Sequence, residues 1–373
     1  MVQNRNNVLP NQISAFLRER IDAGDFPSAV YLVAENGEIV LHDAVGYAVV
    51  EPDRIAARLD TIFDLASLTK VLVTGLLAAR LVENDKFRID DRVATYLKEF
   101  DTQSKRPITI SQLLTHTSYL PAWRPFYLLV PQPEEIIAEI GKTELNYEQE
   151  AVTYSDLNFI TLQKVIERVT DIDLGSAAAE YILEPLGLGN TFFDPPGFLK
   201  PRIAASEKGN EFERNTCVER GFLDGNFRDH QIWGEVHDGN AYFMGGVAGH
   251  AGLFSTAEEV FTIARQFLPN YTTLLEPETC ELFRTNFTQG MNEDRSFAFQ
   301  LASTPGSTAG IKMSPSSFGH LGFTGTSLWI DPVAEHVFIL LTNRTHDHEV
   351  PFVNINSTRG RFHDLAIDLL SKD

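Results

Sequence analysis

Strand signals lie only at the two ends of this chain, and that split restricts the fold more than any other feature of the sequence. Residues 29–34 (AVYLVA) and 38–45 (EIVLHDAV) are largely apolar runs on either side of Glu35-Asn36-Gly37. Asn-Gly between two such runs is a strong hairpin signal, because both residues tolerate positive φ. Residues 297–301, 309–313, 328–330 and 336–341 read as further short strands separated by turn residues. Helical spacing covers 12–23, with Ile13, Phe16, Leu17 and Ile21 on one face, and a closing helix is expected over 361–370. Strands at both ends, each beside a helix, can bury their apolar faces together in one shared sheet. The expected class is α/β (α+β): an antiparallel sheet flanked by helices, built from residues 1–75 and 290–373, with a mainly helical, loop-rich region at 76–289 inserted.

The expectations for the elements near and within that insertion are coarser. Residues 64–82 read as one long apolar helix, 113–116 as a short helix ahead of a Pro- and aromatic-rich loop, and 158–169 as another helix. Thr256-Ala-Glu-Glu259 fits a capping box, with a helix following to about Phe267. Residues 185–245, rich in Gly, Pro, Asn and Asp, read as long loops.

Charge narrows the partners. Asp and Glu number 51 against 31 Lys and Arg, a net of −20. No basic surface is available for a phosphate backbone, so nucleic acid is set aside, and anionic membrane surfaces with it. The most apolar stretch, 71–82, is too short for a membrane span and contains Arg80. Residues 1–10 hold no apolar core of a signal peptide, so a cytoplasmic location is expected. Cys217 and Cys280 are far apart and form no metal or redox pattern; both are expected to be free, buried thiols.

Chemistry first shows at Ser67-Leu68-Thr69-Lys70. On a helix, positions i and i+3 share a face, so the Lys70 amine can reach the Ser67 hydroxyl. A serine hydroxyl is a weak nucleophile without a base, and a desolvated lysine can act as one. Ser67 near a helix N-terminus would also meet backbone N–H groups that favour a developing oxyanion. A capping serine next to a solvated lysine is the structural alternative.

Four further segments follow in order: LLTHTSYLP at 113–121, YSDLN at 154–158, GGVAGHAGLFST at 245–256, and FGHLGFTG at 318–325. With FDLASLTK at 63–70, this order resembles the serine β-lactamase and penicillin-binding-protein superfamily. The match is to the branch of class C β-lactamases, DD-peptidases and β-lactamase-like carboxylesterases. Residues 236–241 and 245–256 are similar to a narrower group, the serine-type N-acetylmuramyl-L-alanine amidases. The resemblance implies a β-lactamase/transpeptidase-like fold and a serine hydrolase without metal or organic cofactor. It implies that Ser67 is acylated and that Lys70 takes its proton or holds the field. Tyr154 would relay the proton to the leaving group and later activate water. The backbone N–H groups of Ser67 and Phe323 would form the oxyanion hole, while His320 and Gly322 line the substrate strand. Whether Lys70 or Tyr154 is the base stays open. No E-x-x-L-N segment is present, which argues against class A β-lactamases.

Three departures bear on the substrate. Asp156 stands where an amide-donating Asn is usual, and an ionised Asp only accepts. Near Lys70 it would hold that lysine charged and favour Tyr154 as base. His320 stands where many members have Lys, and Leu321 replaces a hydroxyl residue; both weaken a carboxylate anchor. An ester, or an amide such as a muropeptide without that carboxylate, therefore fits better than a β-lactam or a D-alanyl-D-alanine peptide. A non-catalytic binding protein on the same fold is the reading of another class. Tyr119 is expected to wall the pocket, with Trp123, Phe126 and Tyr127 beside it or in the core. Gly246, Gly249 and Gly252 read as a tight loop rather than a phosphate loop. His346-Asp-His-Glu349 reads as an acidic loop rather than a metal site. His237, Asp238 and His250 read as loop-organising hydrogen bonders.

Overall fold

A seven-stranded antiparallel sheet takes every strand from residues 28–56 and 300–342 of the chain. The computed structural model describes residues 12–223 and 225–371; the 1–10 segment read above for a targeting signal lies outside them. The strands are β1 (Ser28–Glu35), β2 (Glu38–Val49), β3 (Ile55–Ala56), β4 (Phe63–Asp64), β5 (Phe192–Phe193), β6 (Leu253–Ser255), β7 (Gln300–Leu301), β8 (Phe318–Leu321), β9 (Ser327–Asp331) and β10 (His336–Thr342). The large sheet runs β3-β2-β1-β10-β9-β8-β7, and β4-β6-β5 form a small one. The Asn36-Gly37 turn joins β1 to β2, with Asn36 at φ 51° and Gly37 at φ 75°. The two chain ends meet where β1 pairs with β10, Ala29 opposite Thr342 through Glu35 opposite His336.

β1 alternates between two cores, as a pleated strand covered on both faces must. Ala29, Tyr31 and Val33 pack with Ile13 and Leu17 of the first helix (Gln12–Asp22) and with Phe362 and Ala366 of the last (Asn356–Leu370). Val30, Leu32 and Ala34 face the larger core, which holds Leu72 and Leu76, Phe159 and Ile160, and Val260 and Phe261. That core belongs to helices on the inserted side, so the sheet's inner face and the insertion share one apolar interior. Among the described residues no helix is long and apolar enough to cross a membrane. Cys217 and Cys280 are buried and free.

Several elements differ from expectation for identifiable reasons. Residues 64–82 are not one helix. Phe63 and Asp64 pair with β6, and a π-helical turn (Lys70–Gly75) precedes the α-helix Leu76–Glu83. Residues 309–313 form no strand: Gly310 turns at φ 84°, and the Ile311 N–H binds Asp364 Oδ1 of the last helix at 2.9 Å. Only Gln300 and Leu301 of 297–301 are strand, because Ala298 adopts φ 69°. The capping box at Thr256 is half made. Its hydroxyl accepts from Glu259 N at 3.3 Å, but the Glu259 carboxylate turns away to the Asn190 N–H at 2.9 Å. A reciprocal box appears at Thr109 and Gln112 instead. Within 185–245 the described residues form two α-helices, Glu211–Glu219 and Gly239–Phe243, and a 3-10 helix, Gly197–Arg202, which loop-like composition concealed.

Candidate active site

Ser67 sits on a turn fixed from every side by buried hydrogen bonds. Ala66, immediately before it, adopts φ 46°, a conformation a Cβ residue holds only when its surroundings impose it. Asp64 Oδ1 accepts the Ala66 N–H at 2.8 Å, and Asp64 Oδ2 accepts the His237 N–H at 2.8 Å. Burial pushes the Asp64 carboxyl upward despite those two donors. From the turn between β8 and β9, Thr324 Oγ1 donates to Asp64 O at 2.7 Å and Thr326 Oγ1 to Leu65 O at 3.0 Å. Gly322 belongs to the same packing. A Cβ there would lie 1.9 Å from Thr326 Oγ1 and 2.6 Å from Leu65 O, so only glycine lets this segment approach.

Lys70 is completely buried. Its Nζ contacts Ser67 Oγ at 2.9 Å, Asp156 Oδ1 at 2.7 Å and the His250 carbonyl at 2.9 Å. An ammonium has three N–H donors, and all three are engaged. Burial alone would lower this lysine, but the Asp156 carboxylate, joined by Tyr154, holds it above the ordinary value. Lys70 is thus built as a charged group. The His250 carbonyl comes from the glycine loop. There Gly249 packs so closely that a Cβ would meet Phe159 O at 2.3 Å, and Gly252 needs φ 111°. Among the described residues, only Asp156, Asp238 and His250 bring potential metal ligands together. The Lys70 ammonium already holds Asp156 and the His250 carbonyl there. Both ring nitrogens of His346 are occupied, by Val50 N at 2.8 Å and Ser206 O at 3.0 Å, which leaves His346 no free nitrogen for a metal.

Tyr154 precedes the helix Asp156–Thr170, whose first residue carries the lysine's counter-charge. The Lys70 Nζ lies 4.9 Å from the Tyr154 ring centroid, and His116 stacks at 4.6 Å. Burial raises the phenol above its ordinary value, and the Lys70 charge opposes that rise. His320, on β8, lies 5.7 Å from the Tyr154 ring and points Nδ1 at the Leu321 carbonyl at 2.9 Å. That contact assigns the proton to Nδ1 and leaves Nε2 an acceptor. Burial, then the charges of Lys70 and Arg295, push His320 well below the usual histidine value, so it is neutral at pH 7.

A cavity of about 710 Å³ opens on Ser67, Tyr154, Asp156, Asp238 and Phe323. Trp123, Phe212, Thr216 and Pro351 supply further wall. Lys70, His320 and Gly322 lie outside that lining, and so does Tyr119, which stacks on Tyr147 at 5.1 Å. The aromatic wall expected of Tyr119 is supplied by Trp123. Phe126 is core, and Tyr127 stands behind the wall, donating to Glu213 Oε2 at 2.8 Å. His237 and Asp238 line the cavity while organising the loops. His237 Nε2 pairs with Glu207 at 2.7 Å, and Asp238 accepts from Ala241 N at 2.8 Å and His250 Nε2 at 2.9 Å. Sequence reading missed the helix Glu211–Glu219 and the roles of His116 and Arg295. His116 stands in the quoted LLTHTSYLP segment, the one signal that could have marked it.

A serine open to the cleft and paired with a buried lysine at the junction of an antiparallel sheet and a helical layer, with a phenol in the same cleft, defines the class as a serine hydrolase. The family model for Beta-lactamase matches residues 13–357, and the chain belongs to that family. It is 32% identical over 365 residues to a putative D-alanyl-D-alanine carboxypeptidase of Escherichia coli (strain K12), covering 90% of this chain and 82% of that one. The fold is similar to a class C β-lactamase from Rhodobacter sphaeroides, with a TM-score of 0.74 and 18% identity over 97% of this chain and 100% of that one. It is also similar to EstCE1, described as a hydrolase with promiscuous acyltransferase activity, with a TM-score of 0.70, 21% identity, and 95% and 97% coverage.

Proposed function

We propose that the protein hydrolyses a small ester or amide through an acyl-enzyme on Ser67. The observation that carries this reading is the fully engaged Lys70 ammonium, bonded to Ser67, Asp156 and the His250 carbonyl, with Tyr154 lining the same cavity as Ser67. A lysine with three acceptors and a carboxylate partner keeps its proton, so Tyr154 is the group left to act as base. With Tyr154 as the phenolate, the form that the Lys70 charge favours against burial, Ser67 Oγ bonds to the substrate carbonyl carbon as its proton passes to Tyr154 Oη. The backbone N–H groups of Ser67 and Phe323 receive the oxyanion. Tyr154 then gives the proton to the departing oxygen or nitrogen. In the second half it takes a proton from water as the water oxygen attacks the acyl carbon, and it returns that proton to Ser67 Oγ as the acyl–Oγ bond breaks and the acid leaves. Lys70 stays charged throughout and stabilises the negative charge that passes between Ser67 and Tyr154.

The substrate is a small molecule or a peptidoglycan-like fragment. Neutral His320, with Nε2 as acceptor and Leu321 beside it, offers no cation to a carboxylate. Carboxylate-free esters and muropeptide amides therefore suit the site better than β-lactams. The second reading, a D-alanyl-D-alanine carboxypeptidase, is favoured by the name of the relative at 32% identity. The test is a fluorophosphonate probe with adduct mapping by mass spectrometry on wild type and Ser67→Ala. An adduct on Ser67 that disappears in the variant, together with ester turnover lost in the variant, is the expected result. No adduct on folded wild type would favour a non-catalytic binder. Release of D-alanine from a D-alanyl-D-alanine peptide, without ester turnover, would favour the second reading.

A further inference from the structure

The Tyr154 segment is gripped by a loop that neither the family motifs nor the cavity lining includes. Asn292 accepts the Val152 N–H through Oδ1 at 2.9 Å and donates through Nδ2 to Val152 O, also at 2.9 Å. Both polar groups of the backbone two residues before Tyr154 are thus held by one side chain. Arg295, on the same loop, sets its guanidinium 5.7 Å from the centroid of the Tyr154 ring. The loop is itself braced: Thr288 Oγ1 accepts the Arg295 N–H at 2.7 Å and donates to Glu293 O at 2.6 Å.

Arg295 is only 5% exposed. One amino group meets Glu293 Oε1 at 2.8 Å, whereas Nε and Nη1 are buried with no protein acceptor. Leaving N–H groups of a buried cation unpaired is costly. A fold that needed only packing here would be better served by an apolar side chain. The return is positive charge: Tyr154 lies against two cations, Lys70 and Arg295. Each cation has a carboxylate partner, Asp156 for Lys70 and Glu293 for Arg295, but only Arg295 keeps buried N–H groups without an acceptor.

We propose that residues 286–296 form a clamp on Tyr154, in which Asn292 fixes the backbone and Arg295 is a positioning residue whose charge favours the proton-accepting form of the phenol. This rests on the reading of Tyr154 as base. The charged and titratable groups facing Tyr154 are Lys70 and Asp156 from the two site helices, His116 and His320 at its ring, and the Arg295–Glu293 pair. The same two cations, added to burial, keep His116 and His320 unprotonated. Neither imidazole then competes for the serine's proton.

The test is the pH profile of kcat/KM for a neutral p-nitrophenyl ester, whose alkaline-rising limb reports the base. Arg295→Gln should move that limb up by about one pH unit and lower kcat/KM at pH 7 about tenfold, with Arg295→Lys restoring most of the limb position. Glu293→Gln removes the opposing carboxylate and should move the limb down, which keeps the test readable if Arg295→Gln does not fold. Asn292→Ala should lower the rate and leave the limb where it is. A limb unmoved in both charge variants would overturn the inference while Tyr154→Phe remained inactive. A near-normal Tyr154→Phe would instead remove the base reading itself.

Discussion

The turn that carries Ser67 and the helix that walls the same cavity are held in different ways. The turn is over-determined. Ala66 is kept at φ 46° by Asp64, while Thr324 and Thr326 reach it from the turn between β8 and β9 and Leu253 supplies a carbonyl to Leu65 N at 2.9 Å. The helix Glu211–Glu219 starts at Asn210 without a side-chain cap and leaves Val218 48% exposed. Its main ties are Glu213, which accepts the Gly239 N–H at 2.7 Å and the Tyr127 hydroxyl at 2.8 Å, and the Phe212 N–H on Glu207 at 2.9 Å. Chemistry that needs sub-ångström placement sits on the first kind of support, and the surface that meets a variable substrate sits on the second. Substitutions in the two regions should therefore fail differently.

The largest effect belongs to the reacting groups. Tyr154→Phe should lower kcat by ~10²–10⁴-fold, the range for general acid–base groups. Steady-state rates on the ester substrate measure this, and a near-normal rate would return the base role to Lys70. Asp156→Asn tests how far the charge of Lys70 depends on its partner. Removing one member of a buried pair costs ~3–5 kcal/mol, and urea unfolding at pH 7 should show a loss of that order. Without the carboxylate, burial lowers the folded-state lysine below its unfolded value. The deficit should then shrink as pH rises toward 10, where the unfolded state also sheds its proton.

A smaller effect is expected in the wall. Burial, then the Asp238 charge, push the Glu213 carboxyl up to about 7. A raised carboxyl keeps in the folded state a proton that the unfolded state releases. Its contribution is present below the unfolded value near 4.5 and is lost as pH climbs to about 7. Glu213→Gln should remove this slope, gaining ~3 kcal/mol over wild type at pH 8 relative to pH 4 in unfolding measurements. An equal gap at both pH values would mean the carboxyl is not raised. The smallest effect is expected at Trp123, which stacks on Arg220 at 5.2 Å and lines the cavity. Trp123→Ala should raise KM several-fold with kcat within about twofold, the pattern of lost uniform binding. A large fall in kcat would tie the wall to the chemistry.

Legibility followed the range of the interactions. The hairpin at Asn36-Gly37 and the helices at both ends could be read because turn chemistry and apolar spacing act over a few residues. Ser67 and Lys70 could be paired because they are three residues apart. Residues 309–313 misled because their alternation resembles a strand, while a contact with Asp364, some fifty residues later, sets their path. The helix Glu211–Glu219 was hidden by its polar composition; Cys217 and Glu213 are buried by partners that local periodicity does not show. Tyr119 was assigned to the pocket by position, whereas its left-handed backbone, φ 61°, accompanies stacking on Tyr147.

By itself the sequence determined the ingredients: two strand-rich ends able to share a sheet, a serine and a lysine on one helical face, and an aspartate and a histidine where relatives carry other donors. Only the tertiary structure decided their states. The lysine's charge depends on Asp156 and on a carbonyl 180 residues away, the neutrality of His320 on burial beside two cations, and the setting of Tyr154 on a loop that begins more than 130 residues later. Local pattern fixes which groups are available, because propensity and spacing act along the chain. Protonation and orientation come from burial and charge, which act through space.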